Sequence, residues 1–221
     1  MPRLESVEAV TFDVGGTLIE PSPSVGHVYA EIAAEFGLRN LDPGQLNRQF
    51  AAAWKARRPF DYSRAAWSDI VTQTFAGLSP VPPNAACFDA IYDGFGRAAR
   101  WRIYPDVLPA LEQMQAMGLK LGVISNWDER LRPLLDEFKL SRWFQAVVIS
   151  HEVGQAKPAP QIFRRATELL KVNGDRTLHV GDSWSEDVVG ARDAGWRAVL
   201  LDRSAVEAGP GAIRSLADLD S

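Results

Sequence analysis

The chain is poor in the residues that usually announce chemistry: its 221 positions hold one cysteine, Cys87, and three histidines. A single cysteine excludes an intramolecular disulfide and gives no sign of an oxidising compartment. Cys87 has neither a neighbouring histidine nor a helix-start context to activate a thiol, and His27 and His151 have no partners at metal-ligand spacing. Basic excess is missing too. With 24 Lys and Arg against 28 Asp and Glu the net charge is -4, so nothing supports binding along a nucleic-acid backbone. The densest basic group, "WKARR" at 54–58, reads as a solvated helix face. There is no apolar run long enough to span a membrane, and "MPRLESVEAV" at the start contains no apolar targeting region. The expectation is a cytoplasmic protein that binds neither nucleic acid nor membrane, and its oligomeric state is not legible.

What is present is an apolar share of 46% with 24% charged residues, enough over this length to bury a sizeable core. Ala9 to Val14, broken only by Asp13, reads as a buried strand ending in a Gly-Gly turn. For about eighty residues the pattern is then helical, with no convincing strand. In "SVGHVYAEIAAEFG", Val25, Val28, Tyr29, Ile32, Ala33 and Phe36 recur at helical spacing and Gly37 supplies a stop. Three further segments behave alike, and together they predict a small helical bundle inserted in the chain. Trp54 and Trp67 are expected to pack its own interior. From Tyr104 helices alternate with the apolar strands "KLGVIS", "AVVIS", "TLHVGD" and "RAVLLD", the pattern of a parallel sheet covered on both faces. The fold class is therefore a doubly wound, Rossmann-like α/β core of 1–20 and 100–221, with an inserted helical domain at 21–99.

Polar groups collect where these strands stop. The first ends at Asp13 and the second at Ser125 and Asn126. The loop "GQAKPAP" supplies Lys157, and "TLHVGD" ends at Asp182, with Asp187 following. One strand-end carboxylate is readily an N-cap; several on the ligand-binding edge of such a sheet are harder to explain that way. Gathered carboxylates repel unless a cation sits among them, and oxygen ligands suit Mg²⁺. Lys157 balances a carboxylate and an anionic substrate, while Ser125 offers a hydroxyl to phosphate oxygens. Asp13 is ionised at neutral pH and suited to attack phosphorus, giving an aspartyl-phosphate that water later cleaves. His179, inside a strand, reads as a hydrogen-bonded core residue. Asp128 reads either as a residue of the crevice mouth, with Trp127, or as a helix cap.

The ordered segments "DVGGTL" (13–18), "VISNWD" (123–128), "KPAP" (157–160) and "HVGDSWSEDVVGARDAG" (179–195) resemble the four motifs of the haloacid dehalogenase-like hydrolases, and the texture is most similar to the domain-containing protein 3 subgroup of that family. The resemblance covers nearly the whole chain. It implies that the insertion is a helical cap that shapes substrate choice. It also implies Asp13 as nucleophile, Lys157 as the charge-balancing catalytic group, Thr17 as the holder of the turn, and Thr17, Ser125 and Asn126 as substrate-binding residues. Mg²⁺ would be held by Asp13, Asp182 and the Gly15 carbonyl, with Asp187 acting through water, and the substrate would be a small phosphorylated or otherwise anionic molecule. Glu186 either joins this set or favours the start of the next helix.

The departure from that pattern is at Gly15. Phosphatases of the family usually carry a second Asp there as general acid and base, a group worth roughly 10² to 10⁴ in rate. Three readings accommodate its loss: a weak or unusual Mg²⁺-dependent phosphatase whose substrate has a good leaving group, such as an acyl or aryl phosphate, or that borrows a proton from substrate or cap; a hydrolase redirected to another bond, such as a 2-haloacid dehalogenase; or a weak or inactive member that binds a ligand or partner. The second would need a halide-receiving arginine, for which Arg39, Arg57, Arg58 and Arg64 are available, or, for phosphonate cleavage, a cap lysine such as Lys55.

Overall fold

The computed structural model describes residues 4, 6–56, 60–79, 81–207 and 209–219. Arg57 and Arg58 lie outside them. The chain divides into two units, Met1–Ile19 with Ile103–Ser221, and Glu20–Arg102.

The first unit is built on β1 (Ala9–Phe12), β4 (Lys120–Ser125), β5 (Ala146–Ile149), β6 (Thr177–Gly181), β7 (Arg197–Leu201) and β8 (Ala212–Ile213). They form one sheet in the order β5-β4-β1-β6-β7-β8, with every pairing parallel. All four residues of β1 and all five of β6 are buried, which accounts for strands that read as continuous apolar runs rather than as alternating ones. The connecting helices are α5 (Val107–Ala116), α6 (Leu131–Glu137), α7 (Ser150–Val153), α8 (Pro160–Leu170) and α9 (Gly190–Asp193). In α8 a proline at the start is followed by Ile162, Phe163, Ala166 and Leu170 on one face. The first three join Ile124, Val148, Ala191 and Trp196 in a buried cluster over the sheet, the arrangement a 3.6-residue period dictates.

From β1 the chain moves outward through β4 and β5, then returns to the other side of β1 for β6, β7 and β8. The carboxyl ends of β1, β4 and β6 therefore meet where strand order reverses, the position at which such sheets bind ligands. This is the doubly wound core the sequence predicts.

The second unit holds α1 (Val25–Glu35), α2 (Pro43–Ala56), α3 (Arg64–Phe75) and α4 (Ala85–Gly94). Ser24, Ser63 and Asn84 cap α1, α3 and α4 by accepting backbone N–H bonds, satisfying donors that helix starts leave open. Its core contains Val28, Tyr29, Ile32, Phe75, Ile91 and Cys87; contrary to the expectation from sequence, Cys87 lies in the first turn of α4, its N–H bonded to Asn84, but burial pushes its thiol up, consistent with an inert packing role. Trp54 and Trp67, expected in the interior of this unit, are only half-buried and stack on each other with centroids 5.5 Å apart. Arg64 is committed to Asp89 (2.7 Å) and to the Tyr92 ring, and Lys55 is exposed.

Two short strands escape the sequence pattern: β2 (Ile19–Pro21) and β3 (Trp101–Ile103), which pair where the chain leaves the first unit and re-enters it. At three residues each they are too short to show a period, and the two-residue β8 is missed for the same reason. The single helix expected over "EDVVGARDAG" is a π-helical turn, Trp184–Val189, leading into α9. Among the described residues no helix is long and apolar enough to cross a membrane.

Candidate active site

Asp13 follows β1 directly, its N–H bonded to the Val180 carbonyl of β6 (2.9 Å). Two side-chain donors hold its Oδ1: Ser125 Oγ at 3.0 Å, from the end of β4, and Lys157 Nζ at 2.7 Å. Lys157 is only 4% exposed. Its three protons are spent on Asp13 Oδ1, Asp187 Oδ1 (2.6 Å) and the Ile124 carbonyl (2.9 Å). Burial alone would lower the lysine pKa, but the two carboxylates overturn this and hold it above its ordinary value, so a buried ammonium stands between them at neutral pH. For Asp13 the balance differs: burial, helped by the Asp187 charge, raises its pKa against the pull of Lys157.

Asp187 is brought inward by the π-helical turn, a device common at functional sites. Besides Lys157 it receives His179 Nε2 on Oδ1 (3.0 Å) and the Ser183 N–H on Oδ2 (2.8 Å). Gly181 makes the room: a Cβ there would lie 2.2 Å from the Asp187 carboxyl carbon. Burial disfavours the charge, yet Lys157 and His179 hold Asp187 well below the usual carboxylate range. His179 is itself fully buried, and burial lowers its pKa against the pull of Asp187. Neutral and donating from Nε2, it accepts the Thr11 hydroxyl on Nδ1 (2.9 Å). Thr11 and His179 are register partners across β1 and β6. Sequence reasoning recognised the core character of His179 but not its hold on Asp187, because that requires knowing that β1 and β6 are neighbours.

Asp182 completes the set. Oxygens of Asp13, Asp182 and Asp187 lie within 4.8 Å of one another. Gly16, at φ +79°, forms the turn beside it, where a Cβ would sit 2.5 Å from Asp182 Oδ2, so both the backbone conformation and the close approach require glycine. Although the residue is exposed, protein atoms around its carboxyl and then the charges of Asp13 and Asp187 push it up to about 7. Three carboxylates offering only hard oxygens, with one ammonium among them, fit Mg²⁺.

Asn126, expected as a substrate contact, uses its amide differently. Nδ2 donates to the Lys157 carbonyl and to Glu186 Oε2, both at 3.0 Å, and Oδ1 accepts the Lys157 N–H at 2.6 Å. It positions the lysine, and Glu186 is tied in through it. Thr17 is not part of this network: it is fully buried, its hydroxyl has no hydrogen-bond partner among the described residues, and its carbonyl accepts from Arg203 Nη2 (2.7 Å). Gly15 is half-buried in the turn after Asp13, bridged to Ile19. Asp128 accepts the Arg130 N–H on Oδ1 (3.1 Å) in the turn that leads into α6. It is fully buried and paired with Arg130.

A family profile described as haloacid dehalogenase-like hydrolase matches residues 7–195. Haloacid dehalogenase-like hydrolase domain-containing protein 3 of Xenopus laevis is 34% identical over 207 residues, covering 89% of this chain and 84% of that protein. The glyceraldehyde 3-phosphate phosphatase of Methanopyrus kandleri is 31% identical over 208 residues, with 89% and 84% covered. Among solved structures, the HAD phosphatase from Thermococcus onnurineus superposes with a TM-score of 0.68 at 26% identity, covering 96% of this chain and 95% of that one. With the strand order, the converging motifs and these matches in agreement, the chain belongs to the haloacid dehalogenase-like hydrolase family.

Proposed function

We propose that this chain hydrolyses phosphate ester or anhydride bonds of small anionic molecules, with Asp13 as the nucleophile. The observation that carries the reading is the buried Lys157 ammonium bridging Asp13 and Asp187, with Asp182 within reach. A carboxylate held beside a fixed cation is oriented for attack, and the same cation tolerates an approaching phosphate. Asp13 attacks phosphorus, the bond to the leaving oxygen breaks with its electron pair, and water then cleaves the aspartyl-phosphate to release phosphate and restore the carboxylate. Ser125, now donating to Asp13, turns its hydroxyl to the phosphate. Asp13, Asp182 and the Gly15 carbonyl would hold Mg²⁺, with Asp187 supporting it through water. When bound, the ion supplies positive charge between the carboxylates and the phosphate. A phosphatase among the relatives and another among the solved structures support this substrate class.

Gly15 limits the reaction to leaving groups that depart without a proton. Alkyl phosphates are expected to trail activated ones by roughly 10² to 10⁴. The test is phosphate release from acetyl phosphate, p-nitrophenyl phosphate and glycerol phosphate with and without MgCl₂. Activity on the first two that falls to background in Asp13→Asn is the expected result. Undiminished release by that variant overturns the assignment.

A further inference from the structure

Gly15 has a neighbour that gives its missing side chain a physical meaning. Its φ lies outside the left-handed region, so the backbone does not require glycine there, in contrast to Gly16. What stands against a side chain is the indole of Trp127: a Cβ on Gly15 would lie 3.2 Å from Cζ3 and 3.8 Å from Cη2 of that ring. A contact of 3.2 Å is already tight for a methyl group, and an aspartate must share the same space with the ring edge.

Trp127 is well placed to keep that position. It follows Ser125 and Asn126, which are fastened to Asp13 and to the Lys157 backbone. Its own N–H donates to Ser150 Oγ (3.0 Å), and its carbonyl accepts the Ser150 hydroxyl (3.0 Å) and the His151 N–H (3.2 Å). The backbone is thus pinned on both sides while the residue remains half-exposed. An apolar, flat edge therefore abuts Gly15, the residue two positions after the nucleophile.

We propose that Trp127 is a specificity-determining residue that occupies the space beside Gly15 and recognises the flat apolar part of an aryl phosphate. The inference rests on reading Asp13 as the nucleophile. The chemistry agrees with the contact: as Asp13 forms its bond to phosphorus, the phosphorus–oxygen bond to the aryl group breaks and the pair leaves on a phenolate oxygen. A phenolate is stable enough to leave unprotonated and takes its proton from solvent afterwards, so the site needs no acid at position 15. Trp127 and Gly15 form one device, in which the ring replaces a proton donor with a surface that selects substrates able to do without one.

Two measurements separate this inference from the reading beneath it. In the first, phenylphosphonate and methylphosphonate, which share the anionic group and are not hydrolysed, are titrated against the native chain and Trp127→Ala by calorimetry. The phenyl compound is expected to bind the native chain roughly threefold to tenfold more tightly than the methyl compound, the range of an aromatic contact, and Trp127→Ala is expected to erase the difference. Equal affinities in the native chain, or an undiminished preference in the variant, overturn the proposal whether or not the protein turns over. In the second, Gly15→Asp, Trp127→Ala and the double variant are compared on glycerol phosphate. A gain in the double variant that Gly15→Asp alone lacks is expected; an equal gain in Gly15→Asp alone overturns the claim that the ring holds the space. If Asp13→Asn keeps native turnover, the nucleophile reading fails, and the phosphonate titration still decides the role of Trp127.

Discussion

Asp187 draws three donors: Lys157 and His179 on Oδ1 and the Ser183 N–H on Oδ2. The imidazole ties the carboxylate to β6 and, because Thr11 fixes its other nitrogen, to β1 as well. Replacing His179 with leucine leaves the Thr11 hydroxyl buried and unpaired and removes one donor from Asp187, a loss of about 1 to 3 kcal/mol. Urea denaturation should show His179→Leu destabilised by that amount, with His179→Gln, which retains an N–H donor, recovering part of it; a leucine variant as stable as the native chain removes this role. At this scale the sequence reveals types better than partners. A carboxylate closing an apolar strand is visible at Asp13 and Asp182, since a charge there contradicts the pattern around it. That Asn126 brackets Lys157, or that Trp127 abuts Gly15, depends on loops meeting in space, and no local period records such a meeting.

Asp106 illustrates the same point for whole elements. An aspartate at a helix start reads as a cap, but its side chain makes no capping bond to α5. Instead it receives Arg203 (3.0 Å), Ser215 Oγ (2.8 Å) and the Leu216 N–H (2.7 Å). Arg203 lies over Tyr104, 3.9 Å from the ring centroid, and reaches the Thr17 carbonyl. The start of α5, the segment before the last helical turn and the turn after β1 are thereby joined through one ion pair. Burial opposes the Asp106 charge, but Arg203, Leu216 and Ser215 outweigh it and lower the pKa below its ordinary 3.8. A depressed carboxylate contributes stability that is present above the unfolded value and lost as pH falls through the folded one. Asp106→Asn should therefore cost about 1 to 3 kcal/mol at pH 7, where it leaves Arg203 unpaired, and progressively less below pH 3.8. Urea midpoints for both chains at pH 7 and pH 3 check this, and an equal gap at both pH values contradicts it. The strands of the core were legible because burial on both faces demands unbroken apolar runs; β2, β3 and β8 were not, because they are stabilised by pairing and are too short to carry a pattern.

At the scale of the whole molecule, the charge of -4 matters less than where negative charge is concentrated. Asp13, Asp182 and Asp187 all belong to the unit formed by Met1–Ile19 and Ile103–Ser221. A ligand that binds only the folded site stabilises the fold by mass action, about 2.7 kcal/mol at a hundred times its dissociation constant. For a chain of this size each kcal/mol is worth about 2 to 4 °C in melting temperature. Mg²⁺ is therefore expected to raise the melting transition of this unit by several degrees and, where calorimetry resolves a separate transition for Glu20–Arg102, to leave that one in place. Asp182→Asn provides the sign. Without metal, the variant removes one of three crowded carboxylates and should melt above the native temperature, whereas with Mg²⁺ it should gain much less than the native chain. If the crowding were harmless, the metal-free variant would be no more stable than the native chain and the Mg²⁺ response would survive the substitution; both outcomes together would mean that the three carboxylates do not act as a cation site.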